Sequence, residues 1–160
     1  MSNKKSVRTV WLLIVSTILV IMSGYFYYKN HTPIVPNCRA TLKINISDDR
    51  SDLKGYYLLS IIPNEHDPDH HTFIMNGTIS SNGKNYAISR KFYMKYVFQG
   101  GHFFSRVENI FIDPSDQAQD KIKIRGIPQQ DQIYFVKIKR LSDKNYIFEE
   151  NFPPLFICTI

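Results

Sequence analysis

The chain has 160 residues, 43% hydrophobic and 14% aromatic, with 20 Lys and Arg against 14 Asp and Glu for a formal charge of +6. Four of those basic residues and none of the acids fall within residues 1–29, so the remainder carries only +2 and does not suggest a nucleic-acid-binding face, which would gather Lys and Arg on one surface. The 131 residues after position 29 suffice for one domain with a real core and are too few for two.

Residues 10–28, VWLLIVSTILVIMSGYFYY, form an uncharged apolar run. At the helical rise this is roughly 28 Å, the thickness of a bilayer's hydrocarbon core, and it reads as one transmembrane helix. Lys4, Lys5 and Arg8 precede it and only Lys29 directly follows. The positive-inside bias then makes 1–9 a cytoplasmic stub, 10–28 the span, 29–37 a tether and 38–160 a β domain on the outer side of the membrane. Trp11 at one end and Tyr25, Phe26, Tyr27 and Tyr28 at the other have the placement of interfacial aromatic belts. A cleaved secretory signal is the competing reading, but bulky aromatics directly after Ser23 and Gly24 do not fit a small-residue cleavage site.

In the outer domain, Cys38, Ala40, Leu42, Ile44 and Ile46 alternate with Arg39, Thr41, Lys43, Asn45 and Ser47, the period of a strand with one dry and one wet face. GYYLLSII at 55–62 is a second strand, stopped by Pro63. After the polar stretch NEHDPDHH, TFIMNGTIS at 72–80 alternates again, and Asn82-Gly83 is a strong hairpin signal leading into a strand from about 85 to 98. Gly100-Gly101 turns the chain into HFFSRVENIFI. DPSDQAQD at 113–120 is the one place outside the span where a short helix is expected. KIKIRGI at 121–127, QIYFVKIKRL at 132–141, NYIFEENF at 145–152 and the terminal PPLFICTI read as further strands. Consecutive strands joined by short turns predict an all-β domain, a small antiparallel barrel of calycin-like, up-and-down form, with an open edge available for completion by a partner.

Cys38 and Cys158 bracket this domain. An even count in an oxidising compartment reads as a disulfide closing a loop of about 120 residues, which the chain-entropy model credits with roughly 4 to 5 kcal/mol. Two buried thiols or an intermolecular bridge are the other readings. No G-x-S-x-G, H-E-x-x-H, C-x-x-C or glycine-rich phosphate loop occurs, so no enzyme, cofactor or metal is expected. Two formal glycosylation sequons, at Asn45 and Asn76, are treated as chance.

Glu65-His66-Asp67-Pro68-Asp69-His70-His71 gathers three imidazoles among three carboxylates. Neighbouring carboxylates favour imidazolium, so His66, His70 and His71 are candidate pH-sensing groups titrating at or slightly above about 6.5. A solvated loop without a task is the plainer reading. Phe73, Phe92, Tyr96, Phe98, Phe103 and Phe111 are candidates for lining a cavity for a small hydrophobic ligand, against the plainer reading that they fill the core.

A Lys-rich stub, one anchor from Val10 to Tyr28, an all-β outer domain and the paired Cys38 and Cys158 together resemble the PsaF/MyfF-type accessory membrane proteins and, more distantly, ToxS, VtrC and the FidL-like proteins. The resemblance implies that the chain binds the outer domain of a single-span, winged-helix transcription regulator as a heterodimer, protects it, and helps convert an envelope cue into virulence or fimbrial gene expression. It also implies a bacterial inner membrane as the site of the anchor, with 38–160 as a periplasmic β domain; the cue would be acid, temperature or a bile-type ligand, and the chain itself would not touch DNA. The alternative is a membrane-anchored barrel that binds a lipid or hydrophobic ligand on its own.

Overall fold

The computed structural model describes residues 3–31, 33–48, 51–119, 121, 127–150 and 154–160, with side chains described for these apart from 3–9, 28–31, 46–48, 51–52 and 154. The chain divides into two units, Met1–Pro33 and Ile34–Ile160. In the first, helix α1 runs over Asn3–His31. It carries an 18-residue stretch, Val10–Tyr27, long and apolar enough to cross a membrane. That stretch is apolar on every side, the pattern of a helix surrounded by hydrocarbon. The hydroxyls of Ser16 and Thr17 donate to the Leu13 carbonyl, so neither needs water.

The second unit is a closed antiparallel barrel of eight strands in sequence order: β1 Cys38–Asp48, β2 Ser51–Pro63, β3 His70–Ser81, β4 Lys84–Gln99, β5 His102–Ile112, β6 Ile133–Arg140, β7 Asn145–Glu150 and β8 Pro154–Thr159. Alternation sets the inward face. Cys38 and Ala40 on β1, Tyr57, Leu59 and Ile61 on β2, Met75 and Ile79 on β3, and Ile88, Phe92 and Met94 on β4 are buried. Two-residue turns at Asn82-Gly83 and Gly100-Gly101 place both central residues at positive φ, the backbone that matches strand twist in a tight hairpin. Gly77 lies opposite Tyr57 on β2. A Cβ at Gly77 would collide with the Tyr56 carbonyl and lie 2.8 Å from the Tyr57 Cα, so only glycine lets β2 and β3 approach here.

Two local expectations change, and a third lies largely outside the described residues. DPSDQAQD forms turns rather than helix across its described residues. Asp113 accepts from the Ser115 backbone and hydroxyl, and Asp116 accepts from the backbone N–H groups of Ala118 and Gln119, which satisfies the chain locally without a helix. The strand expected at 121–127 falls largely on 122–126, outside the described residues, and is flanked by a turn at Lys121 and a bend at Ile127. A bulge in β5 also skips Glu108, because Tyr93 pairs Asn109 while Met94 pairs Val107. Face parity therefore reverses: Phe103, Ser105 and Val107 point inward, but after the bulge Ile110 does and Phe111 does not.

The walls are uneven. β2 and β4 have 13 and 16 residues, β7 and β8 only six each. Closure suffers most where β8 meets β1, since a single register pair, Arg39 with Thr159, joins them, against eleven between β1 and β2. The disulfide Cys38–Cys158 forms beside that pair, with a Cα–Cα distance of 5.6 Å. Both cysteines are buried. Replacing both by serine is expected to lower stability by about 2–5 kcal/mol, read as a lower melting temperature of the full chain under non-reducing conditions. Unchanged melting would show that strand pairing alone holds the seam.

A candidate ligand cavity beside the β1–β8 seam

The inward faces do not fill the barrel. They enclose a cavity of about 350 Å³, at the low end of the range for pockets that take small organic ligands. Its apolar lining includes Phe73 and Met75 from β3, Phe92 and Met94 from β4, Phe103 from β5, and Val136 and Ile138 from β6. Leu42 and Ile44 on β1 and Leu155 and Phe156 on β8 border it from the two sides of the seam. Beyond Arg39 no residue of β1 has a register partner on β8 among the described residues, and this stretch of β1 borders the cavity through Leu42 and Ile44.

Five polar residues belong to this lining: Lys43, His71, Ser105, Tyr134 and Glu150. His71 is 2% exposed and its Nδ1 has no hydrogen-bond partner. Its ring packs 5.1 Å from that of Phe73 and 5.2 Å from that of Tyr96. Burial, followed by the nearby His70 charge, pushes its pKa down to about 4, so the imidazole is neutral at neutral pH. Ser105 and Tyr134 sit opposite each other across β5 and β6. The Tyr134 hydroxyl is also buried without a partner, and burial together with the Glu150 charge pushes its pKa up to about 12.

A second charged feature lies in the barrel but outside the cavity lining. Arg90 follows the inward parity of Ile88 and Phe92, and its guanidinium grips Asp116 with Nε–Oδ2 at 2.7 Å and Nη2–Oδ1 at 3.2 Å. The Asp116 side chain has no exposure. Its burial raises the pKa, but the Arg90 contact and the backbone N–H groups of Ser89 and Ala118 outweigh this and hold it below the usual carboxylate range. This latch ties the loop after β5 to β4 and buries Ala118 completely.

Phe73, Phe92 and Phe103 line the cavity, as the alternation predicts. Tyr96 is buried but stands outside the lining, edge-on to Phe103 with its hydroxyl against the Val35 backbone. Phe98 packs on Phe103 at 4.9 Å yet is 37% exposed near the Gly100-Gly101 turn. Phe111 is not a lining residue: the bulge turns it outward, 46% exposed, beneath the Lys91 ammonium.

The three candidate pH-sensing histidines are not one cluster. His66 is exposed in the loop, whereas His70 and His71 begin β3 and so point to opposite faces. His70 lies on the outside, with Nδ1 2.8 Å from Asp67 and Nε2 3.2 Å from Glu108. The hydrogen bond from His70 lowers the Asp67 pKa. For His71 the expected upward displacement is overturned, because desolvation outweighs any carboxylate neighbour. Sequence reasoning passed over Ser105 and Tyr134. Tyr134, Val136 and Ile138 alternating with Lys137 and Lys139 was the available signal, and a lone serine gave none.

No protein-family model matches the chain, and no curated protein is significantly similar to it.

The depressed His71 pKa has a signed consequence for stability. Above about pH 6.5 the imidazole is neutral folded or unfolded, so the contribution is whole; between about 6.5 and 4 only the unfolded state takes the proton and stability falls, by about 3 kcal/mol in all. Thermal melts at about pH 7.5 and about pH 4.5 should therefore differ more for the native chain than for His71→Phe. Equal losses in the two proteins would remove His71 from the acid response.

Proposed function

We propose that this chain is a single-span accessory subunit, N-terminus in the cytoplasm and barrel in the periplasm, that pairs with the outer domain of a single-span, winged-helix transcription regulator. In this reading a small apolar molecule held in the barrel is an envelope cue that the pair conveys to gene expression. The observation that carries the reading is the juxtaposition at the seam: beyond Arg39 the described residues of β1 have no register partner on β8, and that stretch borders the cavity. A strand donated by the regulator would satisfy that edge by main-chain hydrogen bonds, and its fit would depend on whether the cavity is filled. A ligand then shifts the paired state only through its different affinity for the paired and unpaired barrel. Binding the folded regulator alone would also protect it from proteolysis by mass action, with no catalytic step required.

The orientation rests on Lys4, Lys5 and Arg8 before the span, and the disulfide agrees with an oxidising compartment. A second reading, an anchored barrel that carries a hydrophobic ligand alone, is supported by the same cavity without the edge.

The test is co-expression of the full chain with the single-span regulator encoded nearest to it, scored by co-purification and by the regulator's lifetime. The expected outcome is a complex in which the regulator outlives the regulator expressed alone. A regulator that is equally long-lived without this chain and does not co-purify would leave the solitary-carrier reading in its place.

A further inference from the structure

The cavity is apolar apart from a few groups, and two of those are unsatisfied: the His71 Nδ1 and the Tyr134 hydroxyl are buried with no partner. Leaving a buried polar atom unpaired costs about 1–3 kcal/mol, and a site lined with carbon around such atoms is suited to a molecule that brings the missing hydrogen bonds. We propose that the cavity takes an uncharged, elongated apolar molecule bearing a hydroxyl or comparable hydrogen-bonding group, which docks on His71 and Tyr134. This rests on the reading that the barrel holds a small apolar molecule.

The neutrality of the ligand follows from the charges around the cavity. An anionic head group would need a cation, and burying one without a partner is strongly unfavourable. Among the described lining residues Lys43 is the one with a fixed positive charge, and its ammonium lies over the Tyr56 ring, 5.5 Å from the centroid, on the outer face of the β1–β2 pair. The Arg90 guanidinium is already committed to Asp116. Imidazole at His71 is neutral, and the nearest charge to Tyr134 is the Glu150 carboxylate, which repels a second anion. A cationic head group would meet Glu150, but would leave the His71 nitrogen, deep among Phe73 and Tyr96, still unpaired. A hydroxyl suits both orphans, since it donates to an imidazole lone pair or accepts from a phenol. An elongated molecule would reach both Val35, where the chain enters the barrel, and Pro128, in the loop before β6, which belong to the one lining.

The test uses the full chain in phosphatidylcholine nanodiscs, with protein-free nanodiscs as the partition control, and three probes of equal chain length: decan-1-ol, decanoate and decane. Binding is followed at about pH 7.5, where His71 is neutral, by the ¹⁵N resonances of the His71 ring and by direct titration. Decan-1-ol is expected to shift the His71 ring nitrogen, to bind at least about ten-fold tighter than decanoate and about five-fold tighter than decane. The double variant His71→Phe/Tyr134→Phe should bind decane as before and lose the preference for the alcohol. Decanoate binding as tightly as decan-1-ol, an unmoved His71 resonance at saturating alcohol, or a variant that keeps the preference would each overturn the proposal while leaving an occupied barrel standing. Failure of all three probes to exceed the control would remove the barrel's ligand along with it.

Discussion

Closure of the sheet on itself is the constraint from which the other features follow. A meander of eight strands leaves the first and last with backbone groups that must meet each other or go unpaired. Here they meet at one position, Arg39 with Thr159, and the Cys38–Cys158 bond holds that position from inside the barrel. The bond sits at the end where the chain enters and leaves the sheet, so it fixes both termini of the domain at once. Farther along, β8 ends its pairing while β1 continues against β2 to Asp48. The stretch of β1 that borders the cavity, at Leu42 and Ile44, therefore has no register partner on β8 among the described residues.

The interior is a compromise between packing and vacancy. Eight strands give a barrel whose inside is about wide enough to be filled by side chains or to hold one small ligand. The half of the barrel around Tyr57, Ile79 and Ile88 is filled, and Arg90 with Asp116 pins the loop that covers it. That ion pair withstands burial because it is bidentate and the remaining carboxylate lone pairs accept backbone N–H groups. The other half contains His71 and Tyr134 without such partners. The Arg90–Asp116 pair inside this barrel is thus fully satisfied and holds structure together, while the His71 Nδ1 and the hydroxyls of Tyr57 and Tyr134 are buried without partners.

Much of the architecture was legible from residues alone, because it depends on local periodicity. An uncharged run of hydrophobic residues specifies a helix long and apolar enough to cross a membrane; strict alternation from Cys38 to Ser47 specifies a two-faced strand; Asn82-Gly83 and Gly100-Gly101 specify hairpins through backbone conformations that glycine and asparagine tolerate. The pairing of Cys38 with Cys158 was legible as well, since an even count placed at the two ends of one domain left few alternatives. The site was only partly legible. Phe73, Phe92 and Phe103 kept their parity, but one skipped residue at Glu108 sent Phe111 to the surface, and no local rule marks where a strand will bulge.

The sequence by itself determined which elements form, their order and which face of each is dry, because those properties are settled by neighbours a few positions away. Tertiary structure alone decided that the barrel closes through a single pair, that His70 and His71 part company across a wall, and that space remains around His71 and Tyr134. Those outcomes depend on strand lengths and distances between residues far apart in the chain. The same imidazole that reads as an acid-sensitive group beside carboxylates is held neutral once the sheet removes it from water.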